Sequence, residues 1–305
     1  MKKKLSILIP AYNYVVFPLV QELSRQGGGV GHDVEIIVAD DASTDASCKE
    51  ANRAMAGLPY CSYIELEENL GRARIRNLLA DKAEGEWLLF MDGDAAVISD
   101  SFLQMYIDEA GRSEVVCGGL IHPDKLPSSE VTLRYRYERA ADKHRSAAER
   151  MKHPYNCFST FCFMIRKEVF QTIRFDESCR EYGHEDTLFG EELKKRNFTI
   201  HHTDNPLMHM GLEDNAVFLK KTEMAIYVLN RLQKSGKNMY SPLTRKYEQL
   251  QRWHLHKILP PLFKLTAPLL RHNLLGDSPN LLLFALYKLG YYATLRGEAS
   301  GEIKN

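Results

Sequence analysis

The first 120 residues alternate short, wholly apolar runs with longer stretches of helical periodicity, and no other feature narrows the possible folds as much. Leu5–Pro10, Val34–Asp40, Tyr60–Leu66, Trp87–Met91 and Val115–Leu120 read as strands buried on both faces. Between them, Val16–Arg25, Asp45–Ala56, Gly71–Ala83 and Phe102–Ala110 repeat apolar residues at i, i+3, i+4. Strands separated by helices at this interval predict an α/β fold, a mostly parallel sheet flanked by helices. In such sheets ligands bind outside the carboxyl ends of the strands.

Strand ends are therefore where chemistry is to be sought. The first strand runs into Pro10-Ala11-Tyr12-Asn13, the second into Asp40-Asp41-Ala42-Ser43-Thr44-Asp45, the fourth into Asp92-Gly93-Asp94. Two carboxylates flanking a glycine can hold a hard divalent cation that neutralises a diphosphate, and the glycine lets backbone approach a nucleotide. Taken alone, Asp-Gly-Asp is also a favoured turn. Asp40-Asp41 places like charges side by side with no basic neighbour in sequence, which suits a ligand donor such as the N3–H of uracil. Helix capping by Ser43, Thr44 or Asp45 accounts for part of the same run.

Farther on, Thr132–Arg150 reads as a charged helical segment, Cys157–Phe170 as a strand entering a helix, and Phe198–Thr203 as a strand. Glu185–Arg196 and Leu212–Lys234 read as helices. Ser235-Gly236-Lys237-Asn238 resembles a linker, so the expected domains are 1–234 and a helical C-terminal extension, 235–305. Forty basic and forty acidic residues cancel, which removes the electrostatic case for a nucleic-acid partner. Six cysteines lie scattered without a C-x-x-C pair, pointing to a reducing, cytosolic setting rather than a disulfide or zinc framework. The opening apolar run is too short for a signal-peptide core, and Leu281–Leu295, broken by Lys288, is too short to span a bilayer.

Leu5-Ser6-Ile7-Leu8-Ile9-Pro10-Ala11-Tyr12-Asn13 resembles the opening strand of the family 2 glycosyltransferases, inverting enzymes with the GT-A (Rossmann-like) fold. Glu35 to Asp45 is similar to that family's second strand and loop. Asn69-Leu70-Gly71, Arg76-Asn77 and Gly85 to Asp94 are similar to its approach to the metal motif. The resemblance runs from about Leu5 to about Gly211. It implies that Pro10, Ala11 and Tyr12 line the base pocket, that Asp40 and Asp41 serve the nucleotide with Asp41 on the base N3–H, and that Arg76 and Gly93 belong to the same pocket. Asp92 would reach the ribose or the metal shell, and Asp94 would coordinate Mn²⁺ or Mg²⁺. Family members often carry another acidic residue after the metal aspartate; here Ala95 follows. Arg76 reads equally well as a surface arginine of its helix.

For the second half, the resemblance makes Asp186, in Tyr182-Gly183-His184-Glu185-Asp186, the general base that takes the proton of an acceptor hydroxyl. Acidic residues at a helix start are also favoured by the helix dipole. His209 stands where the family places a metal-binding histidine, with His201-His202 a weaker candidate inside a strand. The resemblance thus implies a transferase using a nucleotide-diphospho-sugar, a UDP-sugar first among them, and a glycan or lipid-linked acceptor in surface polysaccharide synthesis. An inactive nucleotide-sugar-binding relative is the alternative. A sugar nucleotidyltransferase fits less well, since Tyr12-Asn13-Tyr14-Val15-Val16 has neither Gly nor Lys for a triphosphate. From Arg252 to Gly297, Leu and aromatics alternate with spaced cations. Such helices either rest on the inner face of a membrane or pack against the catalytic domain or a second copy of the chain.

Overall fold

The computed structural model describes residues 5–30, 34–178, 182–236 and 241–301, with side chains to 297. Met1–Lys4, Cys179 and the Lys237-Asn238 part of the expected linker lie outside the described residues. The chain divides into two compact units: 5–123 with 142–178 and 185–211, and 124–141 with 182–184 and 212–301.

The first unit is built on a seven-stranded sheet with strands β1 (Leu5–Ala11), β2 (Val34–Asp40), β3 (Cys61–Glu65), β4 (Trp87–Met91), β6 (Val115–Cys117), β8 (Cys162–Arg166) and β9 (Ile200–His202), in the order β3-β2-β1-β4-β8-β6-β9. Only β8 runs antiparallel to its neighbours. A second, three-stranded sheet, β5 (Ala95–Ala96), β10 (Leu207–His209) and β7 (Leu120–Ile121), follows the order β5-β10-β7. Helices α1 (Phe17–Gly29), α2 (Ala46–Arg53), α3 (Arg72–Lys82) and α4 (Phe102–Glu109) connect the early strands. The chain from 132 to 151, expected as one segment, forms two helices, α5 (Thr132–Asp142) and α6 (Ala147–Met151). Then come α7 (Lys167–Ile173) and α8 (Glu185–Lys195). Both faces of the sheet are covered: Leu5, Ile7 and Ile9 point to one core with Val20 and Leu89, while Leu8 points to the other with Phe90, Phe163 and Phe170. Burial on both faces is why β1, β2, β4, β6 and β8 are largely apolar runs rather than alternating ones, whereas β3 and β9, at the two edges of the sheet, carry polar residues.

The second unit gathers α5, α9 (Asn215–Lys234), α10 (Pro242–Arg252), α11 (Leu259–Leu275) and α12 (Leu281–Gly301). The division does not fall at residue 234. The inward face of α9 has its partners here: Phe218 and Leu219 pack with Leu133, Leu274 and Phe284, and Ile226 packs with Tyr247 and Tyr292. The apolar period of α9 is visible in sequence, but the residues that complete its core are distant in the chain, Leu133 upstream and Tyr247, Leu274, Phe284 and Tyr292 downstream.

Candidate functional site

The order β3-β2-β1-β4 reverses direction between β1 and β4, so the crevice at their carboxyl ends is the topological switch point. Pro10, Ala11 and Tyr12 leave β1 there, and Asp92-Gly93-Asp94 leaves β4. The two ends touch. A Cβ at Gly93 would stand 3.0 Å from the Pro10 carbonyl oxygen and 2.7 Å from Val16 Cγ1. Glycine is required at 93 because no side chain fits between the two loops.

His209 reaches this turn through strand register. β10 pairs antiparallel with β5, setting His209 opposite Ala95, and the Met210 N–H donates to the Asp94 carbonyl at 2.9 Å. The His209 Nε2 then lies 3.1 Å from Asp94 Oδ2. A Cβ on Gly211 would stand 2.2 Å from that same oxygen, so the chain beyond His209 also needs glycine to pass the carboxylate. His209 is buried, its ring edge-on to Phe161 at 5.2 Å, whereas the Asp94 side chain keeps 30% exposure. One donor is thus fixed from behind and the other opens outward. Among the described residues no group of three or more His, Cys, Asp or Glu side chains converges on a metal position. A carboxylate and an imidazole suit a hard-to-borderline cation that completes its shell with water and phosphate oxygens, as Mg²⁺ and Mn²⁺ do.

The other predicted residues divide between facing the crevice and bracing it. Tyr12 is exposed at the end of β1. Asp41 is buried. Its Oδ1 accepts the Leu70 N–H at 2.6 Å and its Oδ2 the Gly71 N–H at 3.0 Å, so it ties the end of β2 to the start of α3. Burial raises the Asp41 carboxyl above the usual range, the two amides pull it part of the way back, and Asp40 adds repulsion. Asp40 is fully buried. Its Oδ1 accepts the Ser43 N–H at 2.7 Å, while its Oδ2 and the nearby Tyr63 hydroxyl make no hydrogen bond of acceptable geometry. Tyr63 nonetheless feels the charge of Asp40, which adds to burial in raising its hydroxyl. Between these side chains, Ala42 holds φ 57 in the left-handed region, a strain of about 1 kcal/mol for a residue with a Cβ.

Arg76 is not a surface arginine. It is 2% exposed, and its Nη2 donates to Asp92 Oδ1 at 2.5 Å. Its Nη1 donates to the Arg72 carbonyl at 3.2 Å, and the guanidinium lies over the Phe175 ring. The charge satisfies a carboxylate of the Asp-Gly-Asp turn from inside the protein. His202, the weaker histidine candidate, is committed elsewhere: Arg150 donates to its Nδ1 at 2.8 Å, and its Nε2 pairs with the Pro154 carbonyl at 3.0 Å. These partners fix the Nε2–H tautomer, and burial depresses the imidazole to about 4. Asp186 opens α8, where its Oδ1 accepts the Thr187 N–H at 2.7 Å; Glu185 beside it pairs with Arg72 at 3.5 Å.

A sequence profile of glycosyl transferase family 2 matches residues 6–174, more than half of the chain and both strand ends of the switch-point crevice, though not His209. The chain belongs to this family. The chain is 24% identical over 205 residues to the minor teichoic acid biosynthesis protein GgaB of Bacillus subtilis (strain 168). That match takes in 64% of this chain and 21% of GgaB, so the chain spans about a fifth of that relative's length. Among solved structures, the mannosyltransferase PcManGT from Pyrobaculum calidifontis, in complex with GDP-Man and Mn²⁺, aligns with a TM-score of 0.54 at 16% identity. It covers 100% of this chain and 89% of its own. S. aureus TarS aligns with a TM-score of 0.51 at 19% identity, over 97% of this chain and 55% of TarS. The shared architecture is the GT-A fold.

The crevice is also braced by residues that the sequence did not single out. Asn13, at φ 47, accepts the Thr44 and Asp45 N–H groups on its Oδ1 at 2.8 and 3.0 Å and donates from its own N–H to Ser43 Oγ, clamping the β1 and β2 loops together. Asn52, buried in α2, accepts from the Val16 N–H and donates to the Tyr14 carbonyl. Tyr14 lies near enough to Asp94 that this charge adds to burial in raising its hydroxyl. The Phe161 carbonyl accepts the Asp92 N–H at 3.0 Å. An asparagine that tolerates left-handed φ is the one signal in this set readable beforehand. The others are ordinary residues given work by tertiary position.

Proposed function

We propose that the enzyme is an inverting transferase moving a sugar from a nucleoside diphosphate, UDP in the first instance, to an acceptor hydroxyl, with the sheet unit as its catalytic part. The observation that carries this reading is the Asp94–His209 pair at the switch point. Two side chains 115 residues apart are brought to 3.1 Å beside a turn whose glycine has no room for a Cβ. Asp94 and His209 would hold Mn²⁺ or Mg²⁺, which when bound supplies positive charge against the departing diphosphate. Arg76 aims the Asp92 carboxylate by a direct hydrogen bond.

Pro10, Ala11 and Tyr12 line the base side of the crevice. Each oxygen of Asp41 takes a single backbone amide and retains a second lone pair, which suits it to accept the ring N–H of uracil. Asp186 receives the proton of the acceptor hydroxyl, its Oδ1 held by the first turn of α8. With one base and one displacement the anomeric centre inverts. PcManGT, bound to GDP-Man and Mn²⁺, supports the donor and metal classes. GgaB, named for teichoic acid biosynthesis, supports a surface-polymer acceptor. All five described cysteines are free thiols, which supports a cytoplasmic, reducing setting.

Calorimetric titration of UDP, GDP, TDP and CDP, each with and without Mn²⁺, into the wild type and Asp94→Ala tests the reading. Metal-dependent UDP binding that disappears in the variant is expected. Equal binding with and without Mn²⁺ would remove the metal from the proposal. A chain that binds none of the four would be an inactive relative.

A further inference from the structure

Helix α11 presents two apolar faces, and one of them is packed. Leu274 is fully buried in the core of the second unit, with Phe263 and Leu270 packed against that core and Leu259 against its neighbour. The packing expected of a Leu-rich helix is therefore already provided for. On the other side Ile258, Leu262, Leu265 and Leu269, spaced four, three and four, form one continuous stripe. These four are 57, 52, 78 and 74% exposed. Trp253, in the turn before the helix, is 74% exposed. A single exposed leucine needs no explanation, but three leucines on α11 in line with the isoleucine at its N-cap do.

We propose that this stripe lies on an anionic lipid surface. The charge beside it points to that occupant. Lys257, Lys264 and Arg271, spaced seven apart, run as a cationic row along one edge of the stripe, and α11 contains no Asp or Glu. From 252 to 297 the chain carries six Lys or Arg (252, 257, 264, 271, 288, 296) against one acid, Asp277. Arg271 already meets Glu223 at 2.6 Å, so the lysines carry most of the uncompensated charge. A second copy of the chain packed along the stripe would bring an identical cationic row with no acidic partner on α11. Anionic headgroups supply the missing charge. No described helix is long and apolar enough to cross a membrane, so the contact is one of lying on the surface with the leucines at the headgroup boundary.

Co-sedimentation of the full chain with two kinds of vesicle tests this: phosphatidylcholine alone, and an equimolar mixture with phosphatidylglycerol. The wild type is expected to partition preferentially to the mixed vesicles. Lys257→Gln with Lys264→Gln should lower that partitioning by about fivefold per charge and largely erase the preference. Leu265→Ser with Leu269→Ser should lower it roughly tenfold while leaving nucleotide binding unchanged. Failure of the wild type to sediment with either vesicle would overturn the proposal. So would light scattering that finds a dimer which the Leu265→Ser, Leu269→Ser variant converts to a monomer, because the stripe would then belong to a second copy.

Discussion

The two units break the ordinary distribution of polarity in opposite ways. The sheet unit hides charged and amide side chains: Arg76, Asn77, Asn52, Arg150 and His202 are all buried. The helical unit leaves Leu265 and Leu269 three-quarters exposed. Apolar-inside is a loose rule, so only its violations inform: a buried polar group or a patterned exposed apolar face. Each of these five side chains meets a specific partner within hydrogen-bond distance, and the Arg76–Asp92 pair ends at the crevice. Its function is written in internal pairing. In the helical unit the stripe has no internal partner, so its meaning lies outside the molecule.

The sharpest way to break the comparison is at Asp94, the outward-opening half of its pair. Asp94→Ala should cost turnover roughly a thousandfold, because a cation would lose one of its two protein donors. Its thermal midpoint should barely move, since the carboxylate is partly exposed. Steady-state transfer rates beside a melting curve measure both. A large loss of stability with modest loss of rate would make Asp94 structural. Arg76 should behave the opposite way. Arg76→Met removes the buried partner of Asp92 and should cost about 3 kcal/mol, read as a lower urea midpoint at unchanged slope. A loss below about 1 kcal/mol would mean that Asp92 does not depend on the guanidinium.

Those two residues also mark how far sequence reaches. β2 and β4 were legible to the residue, and most other early elements to within a few, because strands buried on both faces must be short continuous apolar runs. The acidic residues at the strand ends were legible for the same reason. Their partnerships were not. Arg76 looks like a surface residue because its helix carries Arg72, Arg74 and Arg76 in alternation, and only the fold reveals which one turns inward. His209 meets Asp94 through a three-residue strand whose pairing depends on register, which a sequence of that length cannot specify. The sequence points Asp41 at the ligand but gives no sign that both its oxygens also brace the start of α3, where backbone amides are the nearest donors.

A third prediction uses acid to probe the buried polar groups. His202 is held near 4, below its unfolded value of about 6.5, so the native state refuses a proton that the unfolded chain accepts. The stability this gives is fully present above pH 6.5 and is lost as pH falls towards 4. Between pH 6.5 and 4.5 the loss from this group should be about 2 to 3 kcal/mol. Arg150, donating to Nδ1, opposes protonation directly. Gln can accept from Arg150 and donate to the Pro154 carbonyl without titrating, so His202→Gln should flatten that part of the profile. Denaturant midpoints across the pH range decide it, and parallel profiles for the two proteins would exclude His202 as the source.

The smallest effect is the most discriminating for the helical unit, because it sets identical residue types on one helix against each other. Leu274 is fully buried and Leu265 is 78% exposed, nine residues apart on α11. Leu274→Ala removes side-chain contacts and leaves a cavity, costing about 2 to 5 kcal/mol. Leu265→Ala removes almost no contact within the chain, and alanine is the better helix former, so stability should stay within about 0.5 kcal/mol. Urea denaturation of both variants in lipid-free buffer gives the difference. Equal costs would mean that the stripe is packed in the free protein and is not available to a membrane. A large cost at 274 with none at 265 means that Leu265 contributes nothing to the fold, and a side chain that does not stabilise the chain carrying it is available for contact with something else.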